Sequence, residues 1–167
     1  MAQEVVQDVQ TQYQEEIMKV TKSMLLDLLR KVEKLYDKLG FAGAYIGRVV
    51  EDGYWGVFEK IEGAEKDVKD ALVKLNGTLI ELGVNPSTGV AEEEVEEIKN
   101  ERRQMLEMIY NIFNELADVY NRDIMFLMDY LLDHKVYDLY GKVDYVRRAL
   151  WSALLNLVDA IYDLATC

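Results

Sequence analysis

The spacing of apolar side chains constrains this 167-residue chain more than any other feature of its sequence. From residue 6 to residue 39 an apolar residue recurs at every third or fourth position, and nine such steps cover 33 residues, a mean of 3.67. That period is typical of an α-helix with one buried face. The spacing predicts a first helix over residues 4–39, ended by Gly40 in the usual C-terminal role of glycine. The series consists of Val6, Val9, Tyr13, Ile17, Val20, Met24, Leu28, Val32, Leu35 and Leu39.

A glycine-rich stretch follows, with five glycines in the 17 residues from 40 to 56. Glycine inside a helix costs about 1 kcal/mol relative to alanine, so such a stretch indicates breaks. The apolar spacing nevertheless continues from residue 46 for another 36 residues, with a mean step of 3.6. We therefore expect a second helix over residues 43–82, with a kink near residues 52–56. Gly43 and Gly47 lie one turn apart, would let a neighbouring helix approach closely, and are candidate interface residues.

The second half of the chain predicts two further helices. Residues 83–89 hold the only proline and two glycines and form the one clear loop. A third helix is expected over residues 90–132, with glutamates in its first turn where carboxylates favour the positive end of the helix dipole. A fourth is expected over residues 137–165. Four long amphipathic helices with short connections predict an all-α fold, an antiparallel four-helix bundle, as a single domain over residues 1–167.

Two charged residues occupy apolar positions in the third helix. Its apolar series begins at Val95 and averages 3.5 residues per step as far as Asp123, then continues to Phe126. Arg102 and Asp123 both fall in this series. A buried charge is costly unless it is paired, so each should meet an opposite charge from another helix or lie at an end of the bundle. The pair either serves in binding or catalysis or fixes the register of the helices, unless the assumed helical phase is wrong.

Composition narrows the possible functions. The chain has 31 acidic and 19 basic residues, a net charge of -12, which argues against a protein that coats nucleic acid. The first residues lack the order of a signal peptide, and no apolar run reaches the length of a membrane span. We therefore expect a soluble, cytoplasmic or virion protein with no signal peptide and no transmembrane segment. His134, the single histidine, is expected to cap a helix, and the single cysteine, Cys167, to be a reduced thiol unless it joins two copies.

Known metal-binding helical bundles give one partial resemblance. Ferritin-like proteins use Glu-x-x-His pairs, which this sequence lacks. Glu93 and Glu96 lie three residues apart, as do Glu115 and Asp118 further along the chain. These pairs resemble the Mg²⁺-binding carboxylate pairs of MazG-type nucleotide pyrophosphohydrolases over 26 residues. The resemblance implies the four carboxylates as Mg²⁺ ligands and release of pyrophosphate from a nucleoside triphosphate. On one straight helix Glu96 and Glu115 would be about 28 Å apart, so the pairs would share a metal only between two chains.

Aromatic residues favour an interaction role. Tyr137, Tyr140 and Trp151 cluster around the last connection, while Tyr54 and Trp55 are adjacent and cannot both face one core. Tyrosine and tryptophan are common at protein interfaces because they bury a large area and keep one polar contact. These five aromatic residues therefore join the two glycines as interface candidates.

The sequence as a whole predicts a non-enzymatic helical interaction or assembly protein. Under this hypothesis the chain self-associates or is a subunit of a larger complex, such as a virion or a scaffold, with no catalytic residues, no cofactor and no direct nucleic-acid binding. Two alternatives stay open. One is the MazG-like hydrolase, which would require Mg²⁺. The other is an acidic decoy that occupies the nucleic-acid site of a basic partner.

Overall fold

The computed structural model describes residues 2–48, 55–86 and 101–166, and the side chains of residues 9–48, 55–86 and 103–165. The helices are α1 (Ala2–Arg48), α2 (Trp55–Glu81), α3 (Glu101–Asp118), α4 (Met125–Asp133) and α5 (Tyr137–Thr166). A π-helical turn, Val119–Ile124, joins α3 to α4 without a break, so these three segments form one rod. Throughout the described ranges the regular structure is helical, and the predicted all-α helical bundle is confirmed.

The four rods pack in a ring. Helix α2 packs against α1 and α5, and the α3–α4 rod closes the ring by packing against both α1 and α5. Between α1 and the third rod, and between α2 and α5, the numbers of the paired residues run in opposite directions. The pairs include Lys31–Asp123 and Lys38–Glu115 between α1 and the third rod, and Asp67–Asn156 and Glu81–Lys142 between α2 and α5. The antiparallel arrangement stays a prediction, and these pairs support it.

The interior of the ring is aliphatic. Burying each leucine or isoleucine side chain contributes roughly 1.5–3 kcal/mol relative to leaving it exposed. The two buried polar residues of the described chain are Thr21 and Thr78, whose hydroxyls each donate to the backbone carbonyl four residues earlier at 2.7 Å. The core therefore has no need of cross-helix polar contacts. Its largest fully buried side chains are Leu25, Leu28, Leu29, Leu35, Leu39, Ile46, Ile61, Leu75, Leu79, Met105, Ile109 and Leu116.

The predicted boundary between the first two helices is wrong. Helix α1 does not end at Gly40 but continues to Arg48, and α2 begins at Trp55 instead of residue 43. Ala42 and Ile46 are fully buried and extend the apolar series of α1 by about two turns. Their burial offsets the cost of about 1 kcal/mol that each glycine adds inside a helix. Most of the predicted kink lies in residues 49–54, outside the described residues.

The paired glycines lie where α1 and α2 approach each other closely. A Cβ atom at Gly43 would be 3.6 Å from the side chains of Ile61 and Glu65, and one at Gly47 would be 3.2 Å from the Phe58 ring. The neighbouring helix that the sequence predicted for these glycines is therefore α2 of the same chain. Gly43 is buried by this contact, whereas Gly47 is exposed.

The predicted phase of the third helix is wrong beyond Val119. The π-helical turn inserts one extra residue, so the next buried position is Ile124, five residues further on. Asp123 leaves the apolar face and pairs with Lys31 at 2.9 Å, and Phe126 is 66% exposed. The rod ends at Asp133, one residue beyond the expected end. Its expected start at residue 90 lies outside the described residues.

The last helix matches its predicted bounds most closely. Helix α5 begins at Tyr137 as expected and ends at Thr166, one residue beyond the predicted end. It follows a tight turn in which Lys135 adopts a left-handed backbone conformation with φ of 58°. Of the predicted loop at 83–89, residues 83–86 are described and hold Gly83, which also has a positive φ, 79°.

Replacing Gly40 by alanine tests the corrected end of α1. Gly40 lies inside the helix, with nothing within 4 Å of a Cβ atom built there. Gly40→Ala should therefore raise the melting temperature by about 2–4 °C, the equivalent of about 1 kcal/mol. Gly83→Ala is the control and should lower it, because the positive φ of Gly83 disfavours a side chain. Thermal unfolding followed by circular dichroism measures both, and a lower melting temperature for Gly40→Ala would contradict a continuous α1.

Deleting one residue tests the π-helical turn. Asn121 is exposed inside the turn, so its deletion should leave an ordinary α-helix with Val119 and Ile124 still on the core face. The deletion variant should keep its helicity and melt within a few degrees of the parent. Deleting the exposed Asn114 from α3 should rotate half of the rod by about 100° and destabilise the protein severely. An equal loss of helicity and of melting temperature in both deletion variants, measured by circular dichroism, would show that the turn does not contain an extra residue.

Candidate functional site

The predicted metal ligands are only partly within the described residues. Glu115 accepts two hydrogen bonds from Lys38 Nζ at 2.8 Å, and Asp118 pairs with Arg122 at 3.5 Å. Both carboxylates lie on the exposed side of one unbroken helix, α3, and each already faces a cation. Glu93 and Glu96 lie outside the described residues. Within the described ranges no three acidic, histidine or cysteine side chains are grouped closely enough to hold a metal ion.

The single histidine caps a helix, as the sequence predicted. His134 is the C-terminal cap of α4, and its backbone N–H donates to the Tyr130 carbonyl. Its ring Nδ1 lies 2.9 Å from the Tyr13 hydroxyl, and its ring centroid lies 4.4 Å from that of Tyr130. Burial raises the pKa of the Tyr130 hydroxyl, with smaller contributions from Tyr13 and Glu16. This cluster attaches the first part of α1 to the end of α4.

The interface candidates do not form one surface. Trp55 is 60% exposed at the start of α2 and its ring meets Phe58 edge to face, so it lies beside Gly47. Tyr137 is exposed at the start of α5, and Tyr140 is half-buried against the core. The other two predicted residues of interest, Tyr54 and the side chain of Arg102, lie outside the described residues, as does Cys167.

Among the interface candidates, Trp151 lies in the best-defined network of side-chain contacts. Its ring lies 5.5 Å from that of Tyr120, which belongs to the π-helical turn. The Tyr120 hydroxyl accepts a hydrogen bond from Arg147 at 3.1 Å, and Arg147 also donates to Asp144 at 2.8 Å. These two contacts raise the pKa of the Arg147 guanidinium, so it stays charged. Through Tyr120, the π-helical turn is thus linked to α5 next to an indole that is 50% exposed.

Trp151 begins an exposed apolar stripe that the sequence analysis did not find. The next members are Leu155, Val158 and Tyr162, at steps of four, three and four residues along α5. Their exposed fractions are 50%, 45% and 67%, against 50% for Trp151. We call these four residues the α5 stripe. The sequence does contain a pattern that indicates the stripe, because its four residues form a second apolar series along α5. The first series is buried and includes Leu150, Ala153, Leu157, Ala160 and Leu164.

A shallow cavity of about 670 Å³ lies between α1 and the end of α2. Its lining includes Glu33, Asn76, Ile80 and Val84. One carboxylate oxygen of Glu33 is buried and finds no hydrogen-bond partner in the described part of the chain. Burial raises the pKa of the Glu33 carboxyl, and the nearby Asp37 raises it further. The Glu33 carboxylate therefore lies in an unfavourable electrostatic environment, which the charge of Arg30 offsets in part.

Comparison with protein-family models, with curated proteins and with solved structures gives no match for the chain. Among the described helices, none combines the length and apolar character that a membrane span requires.

Replacing Glu33 by glutamine tests its unfavourable environment. Because the pKa of Glu33 is raised in the folded chain, its contribution to stability is largest at acid pH and is lost as the pH rises through that pKa. Glu33→Gln should raise the melting temperature at neutral pH by roughly 1–2 °C, a small gain because the side chain is partly solvated. The gain should vanish near about pH 3, where the carboxyl is protonated in both states.

Glu81→Gln is the control of opposite sign. The hydrogen bond and charge of Lys142 lower the pKa of Glu81, so its contribution to stability is present at neutral pH and is lost as the pH falls. Its replacement should lower the melting temperature slightly at neutral pH and have no effect in acid. A lower melting temperature for Glu33→Gln at neutral pH would contradict the assignment for Glu33.

Proposed function

We propose that this chain is a non-enzymatic helical interaction protein that self-associates through the outer face of α5. The α5 stripe carries the proposal. A helix at the surface of a bundle needs one apolar face for the core and is usually polar on the opposite side. Helix α5 has its core face and, in addition, four large apolar side chains that are about half exposed or more. The fold alone does not require them.

The size of the stripe supports a contact role. Tyrosine and tryptophan side chains each offer roughly 150–250 Å², so the exposed parts of the four residues amount to roughly 400 Å². Contiguous apolar patches of about 300–600 Å² are among the largest on monomeric proteins and are often functional. Two of the four side chains are Trp151 and Tyr162, residue types that are enriched at the centre of protein interfaces.

No observation on the described residues favours either alternative function. The hydrolase hypothesis requires Glu115 and Asp118 as metal ligands, and both are engaged by the cations of Lys38 and Arg122. The decoy hypothesis rests on the net charge of -12 alone. An acidic surface is also what keeps many proteins in solution, so the charge does not single out a basic partner.

The mass of the protein in solution tests the proposed function. Size-exclusion chromatography with light scattering, over a series from micromolar to millimolar protein, should give a mass that rises from one copy towards two. Reducing agent in every sample removes any link through Cys167. A mass of one copy at every concentration would contradict self-association.

A further inference from the structure

We propose that the partner on the α5 stripe is a second copy of the same helix, lying antiparallel to the first. This inference rests on the proposed function and adds the geometry of the contact. A twofold axis would pass between Leu155 and Val158. Trp151 of each copy would then face Tyr162 of the other.

The spacing of the stripe is that of a two-stranded helical seam. Its steps of four, three and four residues are those of the a and d positions of a heptad repeat. Such a seam fits a second helix because its side chains fill the spaces between those of the facing helix. The buried series on the same helix, which includes Leu150 and Leu157, is already covered by the other rods. The stripe is therefore a second seam on a helix whose first seam builds the core.

The charges of α5 select the antiparallel direction. Arg147 and Arg148 precede or flank the start of the stripe, and Asp159 and Asp163 lie near its end. No basic residue occurs on the helix between residues 149 and 166. Asp144 pairs with both arginines and leaves the first end with one net positive charge, and Lys60 of α2 pairs with Asp159 at 3.6 Å and partly compensates the acidic end in the same way. Antiparallel pairing places this basic end beside the acidic end of the second copy, at both ends of the contact, whereas parallel pairing places like charges together.

Side-chain sizes support the position of the twofold axis. With the axis between Leu155 and Val158, the central layers pair these two residues with each other. The next layers pair Trp151 with Tyr162. In the outermost layers the long Arg148 faces Ala165, a small exposed residue. Each layer thus pairs an a position with a d position, which is the arrangement that two antiparallel helices require.

The area of the stripe predicts a reversible dimer. Two copies would bury roughly 800 Å² from the stripes and some further area from their edges, which places the contact near or below the lower limit of about 1,200 Å² for stable interfaces. The net charge of -12 on each copy also opposes association. We therefore expect exchange between monomer and dimer, not a permanent pair.

A matched pair of double variants tests the surface. Leu155→Gln with Val158→Gln should weaken self-association about tenfold or more, because four apolar side chains leave the centre of the dimer. The control is Val73→Gln with Ile80→Gln, which replaces two apolar side chains of α2, each 63% exposed, and should leave the dimer unchanged. Sedimentation velocity gives the dissociation constants. Circular dichroism should give the parent spectrum for both, since all four positions are on the surface.

Directed disulfide formation tests the orientation. Two single-cysteine chains of different mass are made in a Cys167→Ser background, one with Arg148→Cys and one with Ala165→Cys. The four residues of the α5 stripe are kept in both, and the chain with Ala165→Cys keeps both arginines, so one end of the mixed dimer retains its full charge pairing. Mild oxidation of the mixture should join the two kinds of chain. Neither chain should join to itself, because two copies of position 148 would be about 25 Å apart along an antiparallel pair. Disulfides within each kind of chain, and none between them, would indicate parallel pairing and overturn the proposal.

The outcomes separate this inference from the proposed function. A parent chain that is monomeric at every concentration contradicts both. A parent chain that dimerises, with a dimer that survives Leu155→Gln with Val158→Gln, contradicts only the assignment of the α5 stripe. Dimerisation that is lost in this variant and unchanged in the α2 control, together with disulfides between positions 148 and 165, supports the whole proposal.

Discussion

Burial of one apolar side chain per helical turn is the constraint on which the rest of this structure depends. It sets the length of α1, because Ala42 and Ile46 continue the buried series past Gly40. It also decides where charges lie. The ion pairs between rods, such as Lys31–Asp123 and Lys38–Glu115, are partly exposed. Exposed pairs of this kind contribute little to stability, about 0–1 kcal/mol each. They follow the register that the apolar core fixes.

The π-helical turn also results from burial of one apolar side chain per turn, at a place where the sequence spacing does not fit an α-helix. The spacing between Val119 and Ile124 is one residue too long for an α-helix, and the helix widens so that both side chains stay buried. The extra residue turns Asp123 towards Lys31. Tyr120 lies in the same turn and contacts Arg147 and Trp151. The π-helical turn, which keeps both side chains in the core, therefore also determines the surface next to the start of the α5 stripe.

Much of the fold could be predicted from the sequence, because helical periodicity is encoded locally. The all-α class followed from spacing, and the expected bounds of α5 agree with the structure to within one residue. The boundary at Gly40 could not be predicted, since the cost of a helical glycine is outweighed by contacts with α2 that are distant in sequence. The predicted helical phase after Val119 was wrong because a regular α-helical period was assumed, whereas the next buried residue follows after five positions. Of the candidate site, Trp151 was found through its residue type. Leu155, Val158 and Tyr162 were missed because the last helix was interpreted from a single apolar series, the one that faces the core, and these three residues do not belong to it.

Core packing does not account for the exposed apolar side chains of the α5 stripe. They are the reason to regard this bundle as an interaction protein. Methyl NMR of the unmodified chain, recorded over a concentration series, tests this most directly. The account predicts that the methyl resonances of Leu155 and Val158 shift as the protein concentration rises, while those of Val73 and Ile80 stay in place. Resonances of Leu155 and Val158 that do not move, or that move no more than those of the α2 residues, would contradict it.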